Sequence, residues 1–535
     1  MRRAPKRRRF TAAMSQSPRS SSAFLVVCLL SVFSPSRLEA TDWYVAPGGN
    51  GAGTASAPFA RIQDGLNAAL PGDTVHVAAG TYNESVHSVR NGTAAQPIAV
   101  RASTGRGSVI LTMAGRVLTV SHAYNTVEAL VLDGQYGTSD LVRVETGGSG
   151  FVLRDSEVRR TSRDGIDMAA PSDVLIEGSL VHHTLNATGG RTDAHGIVAG
   201  AARRLTIRNT EVHTFSGDAF QIDPGRSAPG WDDVRIEGCR FWLQPLPAAA
   251  NGFAAGTVPG ENAVDTKVGA SLPRPRLVIR NTEAYGFRAG LIANMAAFNI
   301  KENVDALIDG VTVHSSEIAF RLRAPASVTV QNAVVHSVAY GVRYEDNIQG
   351  VKIWNSTFGS GVGRAFVPAS SSGSVLDVQN LAILAGSVPA EANGPSNLAL
   401  SAAAFVDAAR HNYQLADTSP AVDRGVTLSG VTADRNGAAR PQGPAYDVGA
   451  YERLRSTSTP DPSAGDDIVL HAWTAPAIVG NWAVVTDVTA AGGARIASRP
   501  LHRPHRAFPC NLSDRRSGCH AERHDDPAGG RPLAE

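Results

Sequence analysis

The chain has 535 residues, a formal net charge of +2, 43% hydrophobic residues and only 18% charged residues. Because this balance provides no strongly basic surface, the composition argues against a nucleic-acid-binding protein. The 53 glycines and the modest charge favour instead a polar repeat protein.

The N-terminal segment, residues 1–40, predicts a cleaved secretory signal peptide. An apolar run at 24–33 follows basic residues and precedes a polar stretch that ends at Ala40. The run is too short to span a membrane, so we expect a secreted or periplasmic bacterial protein with no membrane span. Of the four cysteines only Cys239 lies in the repeat region, which excludes a disulfide framework.

The main predicted domain, residues 41–452, begins with a cap. After a Gly-rich opening at 43–51, apolar residues recur with helical spacing from Ile62 to Leu70. A solenoid must cover its open apolar end. We therefore expect this amphipathic helix to be the N-terminal cap.

Between Phe151 and Asn355 the chain repeats one pattern, a short alternating apolar strand that ends in Asn, Asp or Gly. The closest copies are 22 to 23 residues apart, which leaves room for two or three short strands but none for a helical crossover. This period predicts an all-β fold, a parallel β-solenoid. The predicted first strands are 151–155, 174–178, 205–209, 234–238, 277–281, 306–310, 328–332 and 351–355.

A second strand is predicted in each repeat, and its side chains alternate between core and solvent. These strands are 165–169, 196–200, 219–223, 263–267, 290–294, 319–323 and 341–345. Stacked about 4.8 Å apart, their outward positions form two columns. The first column contains Asp167, Val198, Gln221, Asp265, Ile292, Arg321 and Arg343. The second contains Ala169, Gly200, Asp223, Lys267, Asn294, Arg323 and Glu345.

Each repeat is expected to form one turn of the solenoid, here called a rung. Two long connections lie beside the most charged rungs. The interval between the first and second strands is nine or ten residues in five of seven repeats, but 18 after Gly178 and 25 after Gly238. Extra residues in a repeat commonly form functional loops. We therefore expect the two insertions to be the walls of a groove.

Beyond the repeats, turns and short strands up to Glu452 are expected to close the last rung. Residues 453–466 are rich in Ser, Thr, Pro and Gly and predict a linker. The alternating segment 467–496 resembles the first strands of the β-sandwich modules, often carbohydrate-binding, that follow bacterial polysaccharide-degrading β-helices. From 497 to 535 this periodicity disappears, so we expect an incomplete sandwich, and a frameshift or truncated reading frame is our hypothesis for the tail.

Lysine is rare, with four residues against 46 arginines, and Lys267 lies on the most charged rung. Because lysine can release a proton and arginine cannot, Lys267 is the predicted general base; the alternative is a surface salt bridge to Asp223 or Asp265. Those carboxylates would keep Lys267 protonated unless they are neutralised, which calcium with its oxygen ligands would do. The predicted calcium ligands are Asp218, Asp223, Glu261, Asn262 and Asp265.

A base, a cation and arginines along a groove suit β-elimination from a uronic acid polymer. The cation or an arginine neutralises the substrate carboxylate, which acidifies the proton on the adjacent carbon, and the base removes that proton. Arg288 lies just before its predicted strand, where it would act as a catalytic residue that pairs with the substrate carboxylate or relays the proton. The predicted substrate-binding residues are Arg321, Arg323, Gln221 and Asn294.

The segment from Glu261 to Arg288 resembles the site of right-handed β-helix polysaccharide lyases of the chondroitinase B and alginate lyase group. In that group acidic residues precede a Lys and an Arg follows one rung later; here Lys267 and Arg288 are 21 residues apart. The segment ENAVDTK departs from the group and is similar to the Asp and Lys rungs of calcium-dependent pectate lyases. The resemblance implies a right-handed parallel β-helix that acts on an acidic polysaccharide, without identifying the polysaccharide.

Three other functions stay open. The segment DAHG at 193–196 resembles the Asp and His site of mannuronan epimerases, and a catalytic His195 would favour epimerisation, whereas a turn histidine is otherwise structural. Paired carboxylates, Asp218 with Asp223 or Asp265, would suit glycoside hydrolysis. A carbohydrate-binding solenoid without catalysis is the third. We expect a monomer in every case.

Overall fold

The computed structural model describes residues 40–187, 193–225, 230–268, 274–369 and 373–454, and the backbone of the strands Trp482–Thr486 and Ala494–Ser498. The chain divides into two compact units, Met1–Arg455 and Ser456–Glu535. In the second unit the two described strands pair in antiparallel orientation. The predicted signal peptide, nearly all of the linker and most of the C-terminal tail lie outside the described residues.

The first unit is a parallel β-solenoid in which most turns contain three short strands. The first strand of each turn stacks into a 13-stranded sheet, here called the first row. The other strands form a 22-stranded sheet with a middle row and a third row. The first row comprises Asp42–Val45, Thr74–Val77, Ile98–Ala102, Asn125–Glu128, Val152–Arg154, Leu175–Glu177, Arg203–Arg208, Asp232–Glu237, Arg276–Arg280, Asp305–Asp309, Ser327–Gln331, Gly350–Trp354 and Leu376–Gln379.

The middle and third rows follow each other along every turn, and the long strands Thr312–Arg323 and Val334–Glu345 belong to both. The middle row otherwise comprises Gly80–Tyr82, Val109–Thr112, Leu130–Gly137, Glu157–Thr161, Leu180–Thr184, Glu211–Phe215, Arg240–Trp242, Glu283–Tyr285, Thr357–Phe358, Ala382–Ile383 and Leu398–Ala399. The third row otherwise comprises Val86–His87, Leu118–Val120, Val142–Val144, Ile166–Met168, Ile197–Ala199, Phe220–Ile222, Val264–Thr266, Ala296–Ile300 and Val362–Pro368.

Each predicted first strand is present, and a residue in left-handed backbone conformation follows it. The residues at these eight turns have φ angles between 43° and 66°, and they are Asp155, Gly178, Asn209, Gly238, Asn281, Gly310, Asn332 and Asn355. Gly, Asn and Asp adopt this conformation most readily. The sequence pattern therefore repeats because each turn of the solenoid requires one residue in left-handed conformation after its first strand.

Six of the seven predicted second strands are present in the third row, and one is wrong. Residues 290–294 form a loop, and the strand begins six residues later, at Ala296–Ile300. Phe298 then pairs in register with Phe320 on the next rung and packs inside the solenoid. Leu291, predicted to point inward, is 57% exposed. The prediction failed because residues 290–294 also alternate and lie at the usual interval of nine residues after the first strand.

Both ends of the solenoid core are covered. The helix Ile62–Ala68 buries Leu66 against the first turns, which confirms the predicted N-terminal cap, whereas Leu70 is 44% exposed. At the other end a second hydrophobic cluster includes residues of the antiparallel strands Phe405–Asp407 and Asn412–Leu415. Short 3-10 helices span Ala390–Ala392, Ala402–Ala404 and Ala408–Arg410. None of the helices in the described ranges is long and apolar enough to cross a membrane.

An unbroken column of stacked rings runs along the outward face of the middle row. Successive rings lie nearly parallel, with centroids 3.9 to 5.9 Å apart, in the order His182, His213, Trp242, Tyr285, His314, His336 and His411. Burial lowers the pKa of His213 and of His336 to about 3, and that of the neighbouring His183 to about 4. These imidazoles are therefore neutral in the folded protein at ordinary pH.

We expect acid to destabilise the first unit through this ring column. His183, His213 and His336 stay neutral when folded but take up protons in the unfolded chain below about pH 6.5. Stability should therefore fall as the pH drops from about 6.5 towards 4, by about 2 kcal/mol per histidine at pH 5. Urea unfolding midpoints measured between pH 7 and pH 5 would report this loss.

The matched variant for this measurement is His213→Phe with His336→Phe, which keeps the ring stacking and removes two titrating groups. Carboxylates whose pKa is raised in the folded protein act in the opposite sense, and the comparison of the two proteins cancels their contribution. The double variant should lose less stability between pH 7 and pH 5. Identical pH profiles would contradict the prediction.

Candidate active site

A polar groove lies on the third-row face of the solenoid. Its volume is about 470 Å³. It is lined by Asp193, Asp218, Gln221, Glu261, Asn262, Asp265, Lys267, Leu291, Ile292, Ala293, Asn299, Lys301 and Arg321. Seven of the twelve residues predicted for the site are among these, so the sequence located the groove. The roles assigned to those residues stay predictions.

The two insertions pack against each other beside this groove. Leu185 from the first insertion and Leu246 and Phe253 from the second form a hydrophobic cluster of their own. The Nδ2 of Asn251 donates a hydrogen bond of 2.8 Å to the hydroxyl of Ser162 and links the second insertion to the rungs below. The described parts of both insertions are therefore held against each other, and the second insertion is also held to the solenoid.

Parallel register brings one residue from each of four rungs into a single column on the groove floor. Gln221 pairs with Asp265, Asp265 with Asn299, and Asn299 with Arg321. Outward side chains on successive rungs are about 4.8 Å apart. The column thus places an amide, a carboxylate, a second amide and a guanidinium along one line.

The shifted strand changes two members of the predicted columns. Asn299 takes the position predicted for Ile292, and Lys301, which directly follows the strand, takes the position predicted for Asn294. The sequence analysis missed both residues as site candidates. The signal was present in the segment 296–301, where Asn299 and Lys301 alternate with buried Phe298.

Asp218 is an almost completely buried carboxylate at the groove. Its Oδ1 accepts hydrogen bonds from the backbone N–H and the Nδ2 of Asn262, at 3.1 and 2.8 Å. Its Oδ2 accepts from the Nε2 of Gln221 at 2.9 Å. Burial, reinforced by the negative charges of Asp265 and Glu261, raises the pKa of Asp218 well above its usual range. The groove floor therefore contains negative charge that its surroundings do not fully neutralise.

Lys301 faces the second buried carboxylate. Its Nζ lies 2.9 Å from the Oδ1 of Asp265, which also accepts a hydrogen bond of 2.7 Å from the Nδ2 of Asn299. Burial raises the pKa of Asp265, although the charge of Lys301 opposes the shift. Among the described residues, the Oδ1 of Asn299 is buried without a hydrogen-bond partner. Lys301 is thus paired with a carboxylate that is comparatively ready to accept a proton.

Lys267 has a different kind of partner. Its Nζ donates to the Oδ2 of Asp223 at 2.9 Å and to the Oε1 of Gln221 at 3.2 Å. Burial acts to lower the pKa of Lys267, but its hydrogen bond to Asp223 and the surrounding carboxylates outweigh burial and raise it. Burial acts to raise the pKa of Asp223, but the hydrogen bond from Lys267 leaves it lowered. The ammonium group is therefore held protonated, which is the obstacle expected from the sequence.

Arg321 lines the groove, and its guanidinium also pairs with a carboxylate that lies outside the groove. Its Nε and Nη2 donate to Glu345 at 2.8 and 3.3 Å. Arg323 and Arg343 contact the same carboxylate, and Arg323 does not line the groove. Burial acts to raise the pKa of Glu345, but the three arginines leave it lowered. Arg323 also pairs with Asp346 at 3.0 Å, so three cations share two carboxylates and the rungs beyond Lys301 retain positive charge.

Two other predicted residues lie outside the groove lining because the strand is shifted. Arg288 is exposed on the loop that precedes the strand. Asn294 accepts a hydrogen bond from Arg343 through its Oδ1 and does not line the groove. The geometry therefore does not bring Arg288 together with Lys267.

His195 supports the groove from beneath. Its ring Nδ1 accepts a hydrogen bond of 2.8 Å from the backbone N–H of Asp218, and its own backbone N–H donates to Asp164 at 2.9 Å. The ring is 7% exposed and does not line the groove. This arrangement positions Asp218, and a catalytic role for His195 stays a prediction.

The groove residues offer oxygen ligands, which are the ligands that a hard cation such as calcium prefers. Asp218, Glu261 and Asp265 supply carboxylate oxygens, Asn262 an amide oxygen, and Asn299 a buried oxygen without a partner. Asp223, predicted as a further ligand, is bound to Lys267 and does not line the groove. In the described part of the chain no three His, Cys, Asp or Glu side chains are already arranged around a metal position. Calcium thus stays a prediction that rests on donor chemistry.

Comparison with known proteins finds similar solved structures, all at low sequence identity. No protein-family model and no curated protein matches the chain. Solved structures that are similar include pectate lyase Pel9A, at 16% identity over 77% of this chain and 97% of that chain, with a TM-score of 0.40. A rhamnogalacturonan lyase matches at 16% identity over 69% and 91%, with a TM-score of 0.46. An alginate lyase from Paenibacillus sp. str. FPU-7 matches at 19% over 59% and 95%, with a TM-score of 0.35.

Proposed function

We propose that the protein is a polysaccharide lyase that cleaves a uronic-acid-containing polysaccharide by β-elimination. The observation that carries the proposal is the pairing of two lysines with two carboxylates in one open groove. Elimination requires a positive charge opposite the substrate carboxylate and a base for the carbon-bound proton. Hydrolysis would instead require two carboxyl groups free to act as acid and base, whereas Asp218 is engaged by amides and Asp265 by Lys301.

Lys301 is the proposed base, and Lys267 is the proposed contact for the substrate carboxylate. Burial acts to lower the pKa of Lys267, but Asp223 and the surrounding carboxylates raise it, so this ammonium is held protonated and the base role is assigned to Lys301. This proposal transfers the base role from Lys267, where the sequence placed it. Lys267 as base is the alternative that experiment has to exclude.

In the proposed reaction the substrate carboxylate contacts protonated Lys267 and Arg321. The neutral Nζ of Lys301 takes the proton from the carbon that bears the carboxylate. The electrons of that C–H bond form a double bond to the neighbouring ring carbon, and the bond from this carbon to the glycosidic oxygen breaks. The departing oxygen takes a proton from water in the open groove.

We propose calcium as the cofactor, with Asp218, Glu261, Asn262 and Asp265 as the residues that would hold it. When bound, a divalent cation would neutralise the substrate carboxylate. Asp265 would then contact both the cation and Lys301. Two of these residues, Asp265 and Glu261, carry the negative charge that adds to burial in raising the pKa of Asp218.

We also propose that the protein acts outside the cytoplasm, as the signal predicted at 1–40 implies. A polymeric acidic substrate is available there. N-terminal sequencing of the protein recovered from the periplasm or medium should begin near residue 41, and recovery of the uncut chain in the cytoplasm alone would contradict this.

The test of the function is direct. The protein is incubated separately with pectate, alginate and glycosaminoglycans, and the ultraviolet absorbance of the unsaturated uronate product is followed. An increase on one polymer would support the lyase. New reducing ends without the absorbance would mean a hydrolase, and an altered uronate composition without cleavage would mean an epimerase. No change on any polymer would leave binding as the function to be measured.

Removal of calcium is expected to lower the elimination rate at least about tenfold, because the carboxylate charge at Asp218 and Asp265 is then uncompensated. Dialysis against a chelator followed by addition of calcium should remove and restore both activity and part of the thermal stability. The stability change should be absent in Asp218→Asn. Full activity in the chelated protein would contradict the calcium prediction.

A further inference from the structure

A second groove lies on the first-row face of the solenoid. Its volume is about 590 Å³. Its floor includes one column of outward side chains from successive rungs, Arg280, Asp309, Gln331 and Trp354, and its wall is the loop 429–437. We propose that this groove is a second, non-catalytic site that binds an acidic oligosaccharide.

The wall of the second groove is fixed to the solenoid. Arg435 donates hydrogen bonds to the carbonyl oxygen of Gly310 and to the hydroxyl of Thr312. The Nδ2 of Asn332 donates to the carbonyl oxygen of Ala433 at 3.2 Å. The space between wall and floor is therefore maintained by anchored residues, and a ligand would enter a preformed site.

The distances between paired charges in this column are longer on the groove rungs than on earlier rungs. On earlier rungs the Nε atoms of Arg154 and Arg208 lie 3.0 and 2.9 Å from carboxylate oxygens of Glu177. In the groove, the Nε of Arg280 is 3.8 Å from the nearest oxygen of Asp309, beyond hydrogen-bond distance, and the Arg280 side chain is 43% exposed. The N–H groups of Arg280 are thus available to a ligand anion, and a guanidinium binds a carboxylate through two parallel hydrogen bonds.

The next rungs of the column supply planar groups without charge. Gln331 and Trp354 replace the alternating acids and arginines, and the indole of Trp354 is partly exposed. Its orientation is fixed, because the Nε1 donates to Asp377 at 3.1 Å and the Nζ of Lys352 lies 4.7 Å from the ring centroid. Sugars combine apolar ring faces with hydroxyl groups, so a site with an indole and several planar polar groups suits them.

The length and charge of the column define the ligand class. Arg280 and Trp354 are three rungs apart, about 14 Å at the usual strand spacing. This is enough for a short oligosaccharide with a carboxylate at Arg280 and a sugar ring at Trp354. The ligand class follows from the second groove alone; the statement that it is a segment of the lyase substrate rests on the proposed function.

The experiment measures binding without turnover. In a background of Lys267→Ala with Lys301→Ala, tetragalacturonate, tetramannuronate and cellotetraose are added, and hydrogen exchange of residues 429–437 reports occupancy of the second groove. One acidic tetrasaccharide should protect this loop against exchange. Cellotetraose should require at least a tenfold higher concentration for the same protection. Arg280→Gln should weaken binding at least fivefold. Arg208→Gln, a matched change two rungs earlier in the same column, should leave it unaltered.

The outcomes separate this proposal from the proposed catalysis. No protection of 429–437 by either acidic probe would overturn the second site, as would equal effects of Arg280→Gln and Arg208→Gln. Trp354→Leu, with its thermal stability checked, should weaken binding in the same way as Arg280→Gln. If the protein proves not to be a lyase, the binding result is unaffected, because the assay contains no reaction.

Discussion

Replacing Lys301 with alanine is expected to lower kcat for elimination by about 10²- to 10⁴-fold and to change KM little, because a positioned general base contributes about this much. Lys301→Arg should not restore the rate, since a guanidinium does not release its proton. Lys267→Ala should mainly raise KM, because the contact with the substrate carboxylate is lost. Initial rates from the absorbance of the unsaturated product, over a range of substrate concentrations, separate these effects.

The control is Arg101→Ala, which removes an exposed cation on the first-row face, outside both grooves. It should leave kcat on a short oligosaccharide unchanged. If Lys267→Ala abolishes turnover while Lys301→Ala retains it, the base is Lys267, as the sequence predicted. If neither change affects kcat, elimination at this groove is excluded.

Replacing Arg440 with alanine is expected to destabilise the first unit by about 3 to 5 kcal/mol, the usual cost of leaving one partner of a buried ion pair unpaired. The side chains of Arg440 and Glu452 are both fully buried, with Nη1 2.5 Å from a carboxylate oxygen. The Nη2 also donates to Asn332 at 3.1 Å and to the carbonyl oxygen of Gly449 at 3.0 Å. Arg440 thus ties the C-terminal cap to the solenoid. Urea unfolding followed by tryptophan fluorescence gives the free energy.

Arg410→Ala is the matched control, because Arg410 belongs to the same cap but its side chain is 87% exposed and pairs with Asp407 at the surface. Exposed pairs contribute less than about 1 kcal/mol. Glu452→Gln should cost less than Arg440→Ala, since an amide oxygen at the Oε1 position still accepts from the Nη1 of Arg440 and from the backbone N–H of Asp447, and only the hydrogen bond from the backbone N–H of Gln442 is lost. A loss for Arg440→Ala no larger than that for Arg410→Ala would contradict this view of the cap.

The fold was predictable because each turn repeats a local backbone requirement. Asn, Asp or Gly at positions such as Asn209 and Gly238 marks a left-handed residue after a first-row strand, and inward residues such as Phe220 alternate with outward ones. These signals are short-range and recur on many rungs. The stacking of rungs then follows from the need to cover apolar strand faces.

The site was only partly predictable, because its floor depends on register as well as on pattern. The prediction grouped Gln221, Asp265 and Lys267 correctly, since their strands have regular spacing. It missed Lys301, because an irregular loop delays that strand by six residues and the apolar segment at 290–294 also alternates. The sequence does not show at which residue this loop ends and the strand begins. Pairing of Asp265 with Asn299 settles the register in the structure.

The groove floor is built by paired strands, whereas residues 290–294 beside it form a loop. This difference affects how such a protein can diversify. Backbone pairing fixes Asp265 and Asn299, whereas the exposed Leu291 belongs to a connection whose length the strands do not dictate. Mutations that lengthen, shorten or reshape this connection leave the reactive groups in place. A gene lineage with this architecture can therefore acquire a preference for a new polymer by altering one segment, without rebuilding its chemistry.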